Sequence, residues 1–198
     1  AGVVGLGGAT FPSSVKLNLG RRSGIDTLLI NGSECEPYLS CDDRLMRDRA
    51  AEIVSGIRLM LIATGAAVAK VGIEDNKPEA IAAMPEAAEA HGEVEVVVVP
   101  ARYPMGSDRQ LIVELTSREV PSDARAADVG VIVHNVGTAY AVHEAVCLGR
   151  PLVSRLITLN GNGVAMPGNY EVPLGTLVSD LIAFTGGVQG EVAKVVMG

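Results

Sequence analysis

Apolar residues between positions 27 and 147 follow two alternating patterns. Short, almost continuous apolar runs predict buried strands at residues 27–31, 67–73, 93–99 and 129–134. Apolar residues at helical spacing predict helices at residues 47–65, 77–91, 108–117 and 138–148. One face of the first helix is predicted to carry Ile53, Ile57, Met60, Leu61 and Thr64. This alternation is typical of βαβ units, so we expect an α/β, Rossmann-like fold with a mostly parallel sheet and helices on both faces.

The pattern changes after Gly149, Arg150 and Pro151, which interrupt the series. Beyond them, the sequence predicts strands at residues 152–159 and 170–172 around a glycine-containing turn, then a helix at 177–185 and a strand at 192–196. We therefore expect two domains, an α/β domain over residues 1–151 and a smaller, β-rich module over residues 152–198.

Composition and charge exclude several classes of function. The net charge is −7 and basic residues are interleaved with acids, so we expect no nucleic-acid partner. No apolar run reaches 18 residues, so we expect no direct insertion into a membrane. The three cysteines, Cys35, Cys41 and Cys147, form no CxxC pair. Their spacing predicts no metal or iron–sulfur site in these residues and indicates a reducing, cytoplasmic compartment.

A glycine-rich loop, GLGGATFP at residues 5–12, precedes a partly helical segment that contains Lys16. Glycines let backbone N–H groups approach an anion closely, and the N-terminus of a following helix adds a favourable dipole. A phosphate would fit this loop. An ordinary glycine-rich turn explains the same residues equally well.

Polar residues follow the predicted strand at residues 27–31, namely Asn31, Ser33, Glu34 and Glu36. The carboxyl end of a parallel strand is where such folds bind ligands, and these side chains could accept hydrogen bonds from ribityl or ribose hydroxyls. The alternative is a solvated loop whose acids cap the next segment.

Two further loops also follow predicted strands and open helices. They contain Tyr103, Gly106, Ser107 and Asp108 in the first, and His134, Asn135 and Thr138 in the second. Ser107 and Asp108 are also ordinary helix-start residues, and Asn135 is a common turn former. Because the carboxyl ends of parallel strands meet at one edge of a sheet, we expect these loops to converge.

Four motifs occur in a fixed order: GLGGATFP, NGSECEP followed by DDR, YPMGSDRQLI and HNVGTAYAV. In this order they resemble the motifs of the C subunits of Rnf electron-transport complexes, over essentially the whole chain. More distantly they resemble the NADH-binding flavoprotein subunit of respiratory complex I. The residues after 152 resemble the β-grasp module called SLBB, which follows the flavin domain in this family.

The resemblance implies binding sites for FMN and NADH. The family's phosphate-cradling loop and lysine match Gly5, Leu6, Gly7, Gly8 and Lys16. Its other flavin and nucleotide contacts match Asn31, Ser33, Glu34, Glu36, Tyr103, Gly106, His134, Asn135 and Thr138. Contacts to NADH are expected from Phe11, Ser107 and Asp108, with Phe11 stacking on its rings. Leu6, Ser33, Ser107 and Asp108 depart from the complex I pattern, so the flavin contacts match better than the nucleotide contacts.

The resemblance also implies a function. NADH would pass a hydride to FMN, which would release single electrons toward iron–sulfur clusters. Relatives continue into a segment with two 4Fe-4S clusters, so clusters are expected only beyond the C-terminal end of this chain. No side chain is expected to act as a catalytic acid or base, because hydride transfer needs none.

The same resemblance implies a peripheral subunit on the cytoplasmic side of a bacterial inner membrane. Its partners would be the other subunits of an ion-coupled NADH:ferredoxin-type electron-transfer complex. Two alternatives stay open: a docking or ligand-binding scaffold without flavin, and a related cobalamin- or quinone-reductase subunit.

Overall fold

A computed structural model of the chain describes residues 1–197. Four strands form a parallel sheet: β1 (Thr27–Gly32), β2 (Val68–Glu74), β3 (Val94–Val99) and β4 (Val131–Asn135). Their spatial order is β3-β2-β1-β4. The chain runs outward from β1 to β2 and β3, then returns to place β4 on the other side of β1. The strand order therefore reverses between β1 and β4, where Asn31 pairs with Asn135.

Helices cover both faces of this sheet. They are α1 (Ser13–Arg22), α2 (Cys41–Asp48), α3 (Ala50–Thr64), α4 (Pro78–Ala88), α5 (Asp108–Thr116) and α6 (Val136–Cys147), with a short 3-10 helix at Ala126–Val129. The buried residues of α3, α4 and α6 share one core with one face of the sheet, including Ile53, Met84 and Val136. Leu111 and Ile112 of α5 pack in a second core on the other face. The predicted parallel sheet with helices on both faces is confirmed.

Helices α3 and α6 approach each other unusually closely at Gly56. A Cβ atom added to Gly56 would lie 1.8 Å from the carbonyl oxygen of Ala139 in α6. Only glycine fits at such a separation, because any side chain would overlap the backbone of the facing helix. This contact fixes the position of α6, and the residues at the start of α6 belong to the candidate site described below.

The smaller module follows the sheet. Strands β5 (Ser154–Leu159) and β6 (Gly168–Pro173) form an antiparallel hairpin, and helix α7 (Val178–Phe184) follows. This arrangement confirms the predicted SLBB-like module after the α/β fold. The strand predicted at residues 192–196 is wrong, because residues 191–197 form neither helix nor strand. Val195 and Val196 are exposed, so their apolar run lacks the burial on which the prediction depended.

The predicted helix at residues 47–65 is also corrected. The chain forms two helices there, α2 and α3, separated at Arg49, whose φ of −135° lies outside the helical range. The predicted apolar face of α3 is confirmed, since Ile53, Ile57 and Met60 are fully buried. Within residues 1–197, no helix combines the length and the apolar character needed to cross a membrane.

Candidate functional site

A cavity of about 110 Å³ lies at the carboxyl ends of β1 and β4. Ligands bind α/β sheets at this type of position, where the strand order reverses. The cavity is lined by Gly5, Gly7, Ala9, Phe11, Lys16, Asn31, Gly106, Asp108, Val133, His134, Asn135 and Thr138. Ten of these twelve were predicted from the sequence, and only Ala9 and Val133 were not. The structure therefore brings all four predicted loops together at one place.

The glycine-rich loop is anchored at its base and exposed at its tip. The Gly5 N–H donates to the carbonyl of Phe11 over 2.8 Å, and Val4 pairs with Pro12 in an antiparallel bridge. Gly8 adopts a φ of +110°, which residues with a side chain rarely reach. Gly7 lies close to the next loop, because an added Cβ would be 3.3 Å from that of Asn135. Gly7 and Gly8 are exposed, so a ligand can reach their backbone.

Lys16 follows this loop on the first turns of α1 and lines the cavity. Burial lowers the pKa of Lys16, and the charge of Asp108 opposes that effect. Within residues 1–197, no carboxylate lies within 4.0 Å of its ammonium group. A partly desolvated cation without an ion pair is a strong binding group for a phosphate.

His134 forms part of the cavity wall and is 4% exposed. Its Nε2 atom is buried and has no hydrogen-bond partner among the described residues. Burial lowers the pKa of His134 to about 3, and the charge of Lys16 acts in the same direction. The imidazole is therefore neutral at physiological pH. A buried polar atom needs a partner, and a ligand bound in the cavity that His134 lines can supply one.

The depressed pKa of His134 makes stability depend on pH. In the unfolded chain this histidine takes up a proton below a pH of about 6.5, while the folded protein excludes that proton down to about pH 3. The contribution of His134 to stability should therefore fall by about 2 kcal/mol between pH 7.5 and pH 5. Urea unfolding of the wild type and of His134→Asn at both pH values measures this change in the free energy of unfolding. The wild type should lose about 2 kcal/mol more than the variant, and equal losses would contradict the buried, neutral imidazole.

Asn31 and Asn135 tie the loops to one another. The Asn31 side-chain amide donates to the carbonyl of Gly106 over 2.8 Å, and its oxygen accepts from the N–H of Ser33 over 3.1 Å. The Asn135 oxygen accepts from the N–H of Gly137 over 2.8 Å and so caps α6. Both amides are thus engaged with the protein, and their observed contacts hold the shape of the site.

Asp42 is part of this network although the sequence did not single it out. Its carboxylate accepts a hydrogen bond from the Asn135 side-chain amide over 2.6 Å. Burial raises the pKa of Asp42 to about 7, and the charge of Glu34 adds to the effect, while Asn135 and Arg155 oppose it. The signal in the sequence was the DDR that follows NGSECEP.

Glu34 caps helix α2. Its two carboxylate oxygens accept hydrogen bonds from the backbone N–H groups of Asp42 and Asp43 over 2.8 and 3.1 Å. This is the capping alternative that the sequence left open for the acidic loop. The backbone of Glu34 has a φ of +50°, which is uncommon for a residue with a side chain. The cap holds Asp42, and through it Asn135, beside the cavity.

The other predicted residues lie around the cavity and not in its wall. Leu6 lines a second cleft, Ser33 is fully buried, Gly8 and Glu36 are exposed, and Tyr103 is 74% exposed. Ser107 occupies the position before α5 but makes no side-chain capping bond there. The four predicted loops converge on one cavity, and the structure determines which of their side chains line it.

Glu34, Cys41 and Asp42 present ligand-type atoms within 4.8 Å of one another. Both carboxylates already accept hydrogen bonds from the protein. Burial raises the pKa of the Cys41 thiol to about 12, so a metal would have to displace the thiol proton as well as these hydrogen bonds. We assign no metal to this cluster.

Proteins from several bacteria align with the whole chain. The chain is 51% identical to the C subunit of an ion-translocating oxidoreductase complex from Rhodobacter capsulatus, covering all of this chain and 38% of that protein. It is 50% identical to the protein of the same name from Pseudomonas aeruginosa, again over the whole chain and 26% of that protein. The chain therefore spans between a quarter and two fifths of the length of these relatives.

Solved structures and family models agree with the fold. The structure of an NAD+-reducing NiFe hydrogenase in the H2-reduced state superposes with a TM-score of 0.78 and 25% identity, over 93% of this chain and 37% of that one. Residues 156–195 match the SLBB domain. Residues 1–144 match the Nuo51 FMN-binding domain. Because this second match covers well over half of the sequence, the chain belongs to the family of the Nuo51 FMN-binding domain.

Proposed function

We propose that this cavity and the glycine-rich loop beside it bind FMN, in a subunit that carries electrons away from NADH. The proposal rests mainly on one juxtaposition. The exposed backbone of Gly7, the ammonium of Lys16 and the imidazole of His134 belong to one cavity where the strand order reverses, and within residues 1–197 neither the ammonium nor His134 Nε2 has a partner. The first two suit a phosphate, and the third suits a polar atom elsewhere in the same ligand.

The residues present fit FMN. The backbone of Gly7 and Gly8 and the ammonium of Lys16 would hold the phosphate. His134 and Thr138, which line the same cavity, would contact the remainder of the cofactor. A cavity of about 110 Å³ takes only part of a ligand of this size, and the exposed glycine loop beside it can receive the rest.

When bound, FMN supplies a group that accepts two electrons as a hydride and releases them singly. The chain contributes position and electrostatics. Neutral His134 adds no charge beside the ligand, and the partly buried cation of Lys16 balances a phosphate. Phe11 is 47% exposed beside the cavity, where it would stack on NADH, and Asp108 lines the same wall.

Further parts of the proposal concern the whole protein. We infer that it acts as a peripheral subunit on the cytoplasmic side of a bacterial membrane complex. In support, its relatives are named as C subunits of ion-translocating oxidoreductase complexes. Its electron acceptors would be iron–sulfur clusters outside residues 1–198. The α/β domain would end near Leu152, where the small module begins.

The experiment is a visible absorption spectrum of the purified chain, mixed with FMN and freed of excess, followed by anaerobic addition of NADH. We expect flavin to be retained in a ratio near one to one and to lose its visible absorbance on reduction. Retention without bleaching would support FMN binding and reject NADH as the reductant of this chain. A folded chain that retains no flavin would favour the scaffold alternative.

A further inference from the structure

The SLBB module contacts the glycine-rich loop directly. One guanidinium nitrogen of Arg155, on β5, donates to the carbonyl oxygen of Leu6 over 3.2 Å. From the other side, the N–H of Leu6 donates to the hydroxyl of Thr138, on α6, over 2.9 Å. The backbone of Leu6 is therefore held on both sides, at its carbonyl by the hairpin and at its N–H by helix α6. The next residue, Gly7, lines the cavity.

The hairpin also contacts the start of helix α2. The backbone N–H of Ser40 donates to the Thr158 hydroxyl over 3.0 Å, and the Asn169 amide donates to the Ser40 carbonyl over 3.1 Å. Ser40 immediately precedes α2, whose first turn carries Asp42. The charge of Arg155 lies close enough to lower the pKa of the Asp42 carboxyl, which accepts from the cavity-lining Asn135. Two loops of the site are thus attached to one hairpin.

Stability alone is a poor explanation for an arginine at position 155. Its guanidinium is partly buried in the cleft between the hairpin, α2 and α6, and its Nε atom is buried without a partner in residues 1–197. Burying a cation and leaving one of its donors unpaired costs free energy that a methionine at the same position would not. Within residues 1–197 its one hydrogen bond is to the glycine-rich loop, and attraction to the Asp42 carboxylate adds to what offsets this cost.

We propose that Arg155 is a positioning residue of the flavin site: it holds the Leu6 peptide, and thereby the glycine-rich loop, in the arrangement that FMN needs. This inference rests on the proposed function. It gives the SLBB module a role in cofactor affinity, because within residues 1–197 the other hydrogen bond to the Leu6 backbone is the one to Thr138.

The test compares Arg155→Met with Arg155→Lys in the 198-residue chain. Arg150→Met is the matched control, since Arg150 is exposed and pairs with Glu144 of α6, away from the loop. Quenching of flavin fluorescence gives the dissociation constant of FMN. We expect Arg155→Met to weaken binding about tenfold, Arg155→Lys to recover most of the loss, and Arg150→Met to match the wild type.

Amide hydrogen exchange of the flavin-free proteins provides a second readout. In Arg155→Met, exchange in residues 5–11 should accelerate while exchange in β1 stays unchanged. Equal acceleration in both segments would show general destabilisation and overturn the proposal. A variant with unchanged exchange in residues 5–11 or with unchanged FMN affinity would overturn it as well. Failure of the wild type to bind FMN would reject the proposed function, whereas the exchange comparison would still decide whether Arg155 holds the loop.

Discussion

Replacing Lys16 with methionine should weaken FMN binding by about 30- to 150-fold. A charge-assisted contact to a phosphate contributes on the order of 2–3 kcal/mol, and partial burial of the ammonium strengthens it. Among the residues that line the cavity, Lys16 is the only lysine or arginine. No neighbouring cation of the cavity wall can therefore take over its role. The dissociation constant of FMN, measured by fluorescence quenching, tests this expectation.

The same substitution should leave the folded state as stable as the wild type, or more so. Burial lowers the pKa of Lys16, which means that its surroundings disfavour the charged form. Removing the charge therefore relieves an unfavourable interaction, as is common for binding groups held ready for a ligand. Lost affinity with retained stability would identify a ligand contact.

Arg21→Met is the matched control for Lys16→Met. Arg21 lies at the other end of the same helix and is exposed, so its loss changes the net charge equally without altering the cavity. We expect its FMN affinity to stay within about a factor of two of the wild type. Equal losses in the two variants would mean that net charge, and not a phosphate contact, controls binding. Unchanged affinity in Lys16→Met would place the phosphate elsewhere.

Replacing Gly56 with alanine should destabilise the protein by about 2 kcal/mol or more. The new Cβ would lie 1.8 Å from the carbonyl oxygen of Ala139, so α3 and α6 must move apart. Alanine favours a helix interior over glycine by about 1 kcal/mol, and the steric cost should exceed that gain. Urea unfolding followed by circular dichroism measures the difference.

Gly92→Ala is the control for the effect of the substitution itself. A Cβ at Gly92 would meet no atom within 4 Å, and its φ lies outside the range that favours glycine. Its free energy of unfolding should stay within about 0.5 kcal/mol of the wild type. A Gly56→Ala variant as stable as this control would show that the helices are not as close as the structure places them.

The effect of Gly56→Ala should extend to the flavin site. Helix α6 begins at Val136 and is capped by Asn135, and its first turn carries Thr138. Displacing α6 would therefore move the hydroxyl that holds Leu6. We expect weaker FMN binding in any Gly56→Ala protein that remains folded.

The sequence predicted most of the elements because their patterns depend on local burial. The apolar runs at β1 and β4 and the face of α3 that contains Ile57 could be recognised in this way. The break at Arg49 could not, since helical periodicity continues across it. The prediction of a strand at residues 192–196 was wrong because the apolar pattern does not show whether the segment is buried. An apolar run indicates a strand only where another element covers it, and Val195 is 62% exposed.

The α/β fold, the order of the motifs and the four loops that carry polar residues all follow from the sequence. The spacing of apolar residues and the positions of turn-forming residues depend on residue type alone, so both can be recognised in the sequence. The family follows as well, because four motifs in a fixed order are specific. Which polar atoms are free to bind depends instead on tertiary packing. Asn31, Asn135 and Glu34, which the sequence predicts as ligand contacts, also form hydrogen bonds that hold neighbouring loops in place.

Whether a polar atom already has a hydrogen-bond partner in the protein depends on distances between segments that are far apart in the chain. Within residues 1–197, His134 Nε2 has no partner, and Arg155 reaches Leu6 across 149 positions of sequence, only because of how the sheet and the hairpin pack. A hydrogen bond forms or fails within a few tenths of an ångström, and no residue pattern encodes that separation.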